Sequence, residues 1–234
     1  GHVMAVWWNE STNRIMARLY TPGVGVGDII EIPGQTMPST WPRVRGGSES
    51  EFHVVWSAGY SEHNHSIQYS HFNGNVFSTA MTLQSGASMW PDLCFNHNSN
   101  TVSVCWEEFF GGVQGEIMIR QRVNGVWGSE VNGSKTPYYS GRSHITTDNS
   151  GNLYLVWMEK TGGTSDRYEA FYNRTVNGAW QSPVNISNDG SMRVLPNLAV
   201  KPNGTEVVVQ WFNLSDHYHW AKVISYTGTT PIYG

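Results

Sequence analysis

Apolar residues along this chain fall in short runs, and five of those runs stop at a tryptophan: VMAVW to Trp7, FHVVW to Trp56, VSVCW to Trp106, LYLVW to Trp157 and VVVQW to Trp211. The intervals between these tryptophans are 49, 50, 51 and 54 residues. No stretch sustains the i, i+3, i+4 spacing of an amphipathic helix, so the runs predict strands. A second marker keeps step with the first. A glycine turn recurs in TPG (Gly23), FNG (Gly74), VNG (Gly125), VNG (Gly178) and YTG (Gly228), at intervals of 51, 51, 53 and 50. Two independent markers with one period identify a repeated unit.

Each unit reads as four strands. The first is WPRVR (41–45), WPDLCF (90–95), RSHITT (142–147) or LPNLAVK (195–201), and the second is the run ending in tryptophan. The third is RIMARLY (14–20), SIQYSHF (66–72), EIMIRQR (116–122), YEAFYNR (168–174) or HWAKVISY (219–226). An Asn-Gly type turn then leads to the fourth, DIIEI (28–32), VFSTAMTL (76–83), VWGSEV (126–131) or AWQSPVNI (179–186). Four short strands per unit predict an all-β chain folded as a five-bladed β-propeller with four-stranded antiparallel blades. A β-sandwich also uses short strands but has no reason to repeat one pattern at this period. The chain is read as a single domain, 1–234, with blades at about 1–38, 39–88, 89–139, 140–192 and 193–234. The first and last blades are incomplete. An open edge strand invites pairing, which makes self-association through a terminal blade an alternative to ring closure.

Composition narrows the picture. A chain of 234 residues can bury a sizeable core without a metal or a disulfide. Aromatic residues make up 13% and charged residues 14%, which excludes a disordered chain. The net charge of −4 argues against a nucleic-acid partner. No apolar run approaches the length of a membrane span, and the first residues carry no signal-peptide pattern. Cys94 and Cys105 fall on one face of a hairpin, where a disulfide is conceivable.

The stretch DNSGNLYLVW followed by YNRTVNGAWQSPVNIS resembles the repeats of the sialidase superfamily and related BNR-type propellers. In that family the turn between third and fourth strands carries an Asp-box. Its counterparts here are RTVNGAW (174–180) and RQRVNGVW (120–127), with the Asp position unfilled. The resemblance is one of blades. It implies a propeller fold, a glycan-related role and an extracellular or periplasmic location, and no catalytic residue is carried over from it.

In a propeller the first strand of each blade lines the central channel. One position of that strand reads Arg43, Asp92, His144 and Asn197 through four blades, and three of these follow Pro42, Pro91 and Pro196. Unlike polar residues at equivalent inner positions predict a binding site at the channel mouth; the plainer reading is that they satisfy one another and channel water. Trp41, Trp90 and Tyr139 belong to the same face, and sugar C–H faces stack on such aromatic planes. The expected ligand is therefore carbohydrate, bound by Trp41, Arg43, Trp90, Asp92, His144, Asn197 and Tyr139. Glu10, Glu107 and Glu159 follow their strand-end tryptophans and are expected in loops. Asp92, Glu107, Glu159 and His144 are the candidate catalytic residues of a glycan hydrolase or lyase, the alternative to a lectin-like role. A third alternative is a purely structural module. No cofactor and no metal site are expected, since the His pairs of HNH (63–65) and DHYH (216–219) have no third ligand dictated by spacing.

Overall fold

The computed structural model describes residues 1–48, 50–61, 64–111, 114–162, 167–188, 193–227 and 230–233, and their regular structure is entirely β-strand, in five antiparallel sheets. The first sheet holds β1 (Val3–Asn9), β2 (Arg14–Thr21) and β3 (Gly25–Glu31). The second holds β4 (Ser39–Gly46), β5 (Phe52–Gly59), β6 (His65–Phe72) and β7 (Met81–Gln84). The third holds β8 (Ser88–Asn96), β9 (Thr101–Phe110) and β10 (Gln114–Val123), with its outer edge split into β11 (Val126–Trp127) and β12 (Val131–Asn132). The fourth repeats this pattern with β13 (Ser140–Thr147), β14 (Leu153–Lys160), β15 (Tyr168–Val176), β16 (Ala179–Trp180) and β17 (Val184–Asn185). The fifth holds β18 (Arg193–Val200), β19 (Glu206–Asn213), β20 (Tyr218–Thr227) and β21 (Thr230–Tyr233).

The sheets stack face to face in chain order, because each strand-end tryptophan packs against the sheet before its own. Trp56 joins Met4, Ile15 and Ala17; Trp106 joins Val55 and Ile67; Trp157 joins Ile117 and Ile119; Trp211 joins Val156 and Tyr172. Trp56, Trp106 and Trp157 are fully buried. Trp7 differs from the other four: its sheet has none before it, and it is only half-buried. Among the described residues no apolar cluster joins the fifth sheet to the first, so the stack is an open propeller-like arc and a closed ring of five blades is not what the sheets form. Val3, Tyr20 and Ile29 on one end sheet and Val208 and Val223 on the other are exposed.

Inner strands β4, β8, β13 and β18 pack successively against one another and line the concave side. Two expectations change in the middle of the arc. The fourth strands expected at 126–131 and 179–186 are each broken in two, the latter just before Pro183, which has no N–H to offer the ladder. The second strands run past their tryptophans, so Glu107 and Glu159 stand inside β9 and β14 and not in loops. Cys94 and Cys105 are buried and unbridged. No described helix is long and apolar enough to cross a membrane.

Candidate functional site at the mouth of the arc

All four inner strands carry the same irregularity. Their pairing shifts between Thr40 and Arg43, between Met89 and Asp92, between Gly141 and His144, and between Val194 and Asn197. The residue at the shift is left-handed each time: Trp41 at φ 50°, Trp90 at 51°, Arg142 at 54° and Leu195 at 52°. Aromatic, Arg and branched residues avoid this region, at a cost of roughly 1–2 kcal/mol each. A strain repeated at one position is held by its surroundings, and such positions concentrate at sites where a side chain must be aimed.

The surroundings are visible in two of the four. Ser57, next after Trp56, accepts a hydrogen bond from the Trp90 backbone N–H at 3.2 Å. Glu107, next after Trp106, accepts one from the Arg142 backbone N–H at 3.3 Å. The second and third sheets thus each pin the bulge of the sheet that follows through the side chain after the tryptophan. Glu107 also accepts the Tyr139 hydroxyl, and a side chain at Gly141 would stand 2.6 Å from its carboxylate. Burial drives its pKa up to about 7 despite those donors.

The bulges bring their side chains together. Arg43, Trp90, Pro91, Arg142, Ser143, His144 and Leu195 surround a pocket of about 70 Å³. The Arg142 guanidinium lies 3.4 Å from the Trp90 ring centroid, a close cation–π stack. Trp41, 40% exposed and so open to a ligand, stands 5.7 Å from Trp90 and extends this platform. His144 Nδ1 lies 3.2 Å from Asp92 Oδ2, and Arg45 reaches Asp92 Oδ1 at 3.4 Å. The Ile145 backbone N–H donates to Asp92 Oδ2 at 3.2 Å. Burial alone would raise the Asp92 pKa; the His144 bond and charge, Arg45 and the Ile145 N–H outweigh it, and the net shift is downward. Whenever the His144 ring is neutral, an ionised Asp92 holds its one proton on Nδ1 and Nε2 is the acceptor.

The predicted residues divide accordingly. Arg43, Trp90 and His144 line one pocket, Asp92 buttresses it from below, and Trp41 flanks it. Tyr139 stands behind it, against Phe109 and Tyr168. Asn197 does not join them: it lies in a separate groove with Ala199, Val208 and Gln210 on the open face of the fifth sheet. Glu159 accepts from Ser140 Oγ at 2.6 Å and Trp157 Nε1 at 2.8 Å. Glu108 takes the Trp106 indole N–H at 3.2 Å from the equivalent position, so this carboxylate serves the core in both sheets. Burial pushes the Glu159 pKa to about 7. In the DHYH segment, His217 and His219 both pack against Phe212, and His63 of HNH lies outside the described residues. Arg142, Ser143 and Leu195 were not foreseen. The signal was present in RSHITT and LPNLAVK, which align with WPRVR and WPDLCF, but nothing in Arg or Leu announces a left-handed backbone.

No protein-family model and no curated protein sequence matches the chain. Solved structures do share its fold. An ulvan lyase, from a family described as a new polysaccharide lyase family, matches with a TM-score of 0.68 at 8% identity, over 100% of this chain and 66% of that one. A protein of unknown function from Dyadobacter fermentans matches at 0.63 and 11%, over 84% and 67%. An α-L-arabinofuranosidase from Lactobacillus brevis matches at 0.55 and 11%, over 100% and 90%. The chain thus spans about two-thirds of the length of the lyase, and at these identities the likeness shows a propeller-like fold and no more.

Proposed function

We propose that this protein recognises an acidic glycan at the mouth of the arc, outside the cell. The observation that carries the reading is the sorting of charge there. Arg43, Arg142 and His144 line the pocket, while Asp92 and Glu107 are buried beneath it and committed to internal partners. A pocket of about 70 Å³ falls far short of the roughly 300–1,000 Å³ of a whole ligand site. It takes one small anionic substituent, a carboxylate or a sulfate, and the sugar ring carrying it lies over Trp41 and Trp90. An ulvan lyase of similar fold is solved with bound -[GlcA(1-4)Rha3S]-, an oligosaccharide bearing both kinds of group.

The test is binding to matched pairs of glycans, uronate-containing and carboxyl-reduced, by calorimetry. Tighter binding of the acidic member, weakened by Arg142→Ala, supports the reading. Equal affinity for both members overturns it.

The His144–Asp92 pair favours a second reading, a polysaccharide lyase. His144 Nε2 would take the proton α to a uronate carboxylate while Arg43 and Arg142 neutralise that carboxylate. The electron pair left on carbon forms the new double bond and expels the glycosidic oxygen, which leaves as an alcohol after taking a proton from solvent. The other product is an unsaturated uronate. A hydrolase fits less well, because its acid and base carboxylates must both reach the substrate, and Asp92, Glu107 and Glu159 are all buried. Release of unsaturated product that stops in His144→Ala, with binding retained, identifies the lyase; binding without product leaves the lectin-like reading.

A further inference from the structure

A second cluster sits at the opposite end of β5 from the mouth. His53 and His71 are direct cross-strand partners on β5 and β6, and Glu51 immediately precedes β5. One ligand atom from each of the three lies within 4.8 Å of those from the other two. His71 Nε2 is 3.8 Å from Glu51 Oε1.

The buried member of this cluster is unusual. His53 is only 2% exposed, yet its Nε2 has no hydrogen-bond partner. A buried ring nitrogen in that condition calls for an explanation. Its other nitrogen is spoken for, since Nδ1 lies 2.8 Å from the Tyr69 hydroxyl. With the proton on Nδ1 and donated to Tyr69, Nε2 presents a lone pair. The ring is clamped by Phe95, whose centroid is 5.1 Å away, and by His71 at 4.8 Å. A side chain at Gly47 would approach His53 Nε2 to 2.9 Å, so glycine there keeps the approach to that nitrogen open. Ser48 Oγ donates to Glu51 Oε2 at 2.8 Å, leaving Oε1 for the cluster.

We infer that Glu51, His53 and His71 bind a divalent transition ion of the zinc type, between the second and third sheets. Two imidazoles and one carboxylate match the donors such ions select. Zinc–ligand bonds of about 2.0–2.2 Å require the donors to close in by about an ångström, and the partly exposed Glu51 and His71 can move while His53 stays fixed. Tyr69 and Ser48 act as the outer partners that orient two of the ligands. Arg122, 6.0 Å from the Tyr69 ring, is a cation facing the cluster, and the Glu51 carboxylate offsets it. Three protein ligands leave a coordination position for water.

The test uses chelator-treated protein titrated with zinc chloride alone, by calorimetry. The expected result is one ion per chain, with affinity lowered roughly tenfold or more in His71→Ala and in Glu51→Gln. Both residues are partly exposed, so these variants keep the core; if His71→Ala does not fold, Glu51→Gln decides. A His217→Ala/His219→Ala control retains wild-type affinity. Absence of saturable binding, wild-type affinity in either folded single variant, or loss of binding in the control would overturn the site. This experiment reads nothing at the mouth, so it stands or falls apart from glycan recognition.

Discussion

At the scale of single residues, the mouth depends on side chains held where their backbone is uncomfortable. Arg142 reaches its stack on Trp90 only from a left-handed backbone, and the Glu107 carboxylate holds the N–H of that residue. Replacing Arg142 by Ala removes the charge and one side of the platform. The expected loss is about tenfold or more in affinity for an acidic glycan, or about 1.5–3 kcal/mol for a charge-assisted contact, with a smaller loss for the neutral glycan that keeps only the stacking. Arg142→Lys should recover only part of this, because an ammonium neither stacks as a plane nor binds an anion with two parallel bonds. Calorimetry on the matched glycan pair checks both variants. Arg142→Gly makes the complementary point. It loses the same side chain but relieves the left-handed strain, so it should unfold at a higher urea concentration than Arg142→Ala.

At the scale of the element, the repeat could be read from the sequence because it is written in residues with one job. A tryptophan that fills the gap to the preceding sheet and a glycine that closes a hairpin are needed at every turn of the pattern, so both markers survive. The bulges could not be read, because Trp41, Trp90, Arg142 and Leu195 share a backbone conformation and no chemistry. His53 and His71 escaped for a different reason: they are 18 positions apart in sequence, and only strand register sets them side by side. Asn197 was misplaced because its sheet has no successor, which turns an inner position into an open surface. The same geometry makes the tryptophans unequal. Trp106→Ala should cost roughly 3–5 kcal/mol, the range for a large aromatic removed from a core. Trp7→Ala, from the half-buried end face, should cost well under half of that. Urea unfolding of the two variants against the wild type measures the difference, and equal losses would mean that the first sheet is covered in solution.

At the scale of the whole molecule, buried ionisable groups pull stability in opposite directions across one pH window. Burial lifts Glu107 and Glu159 to about 7, so the stability they contribute is complete below pH ~4.5 and is lost as pH rises through 7. His53 is driven down to about 3 by burial and then by the charges of His71 and Arg122, and His71 is also lowered, chiefly by burial. Neutral histidines of this kind contribute stability above pH ~6.5 that is lost as the pH falls. Between about pH 4.5 and 6.5 the acids favour the lower pH and the histidines the higher, with a few kcal/mol on each side. The wild-type profile of unfolding free energy should therefore be shallow in that window. Glu107→Gln keeps an acceptor for Tyr139 and for the Arg142 N–H but removes one opposing proton, so its stability should climb with pH where the wild type is nearly flat. Urea unfolding at half-unit pH steps measures both curves. Parallel curves would mean that Glu107 titrates as an ordinary carboxylate, and that the pin beneath Arg142 is a charged one.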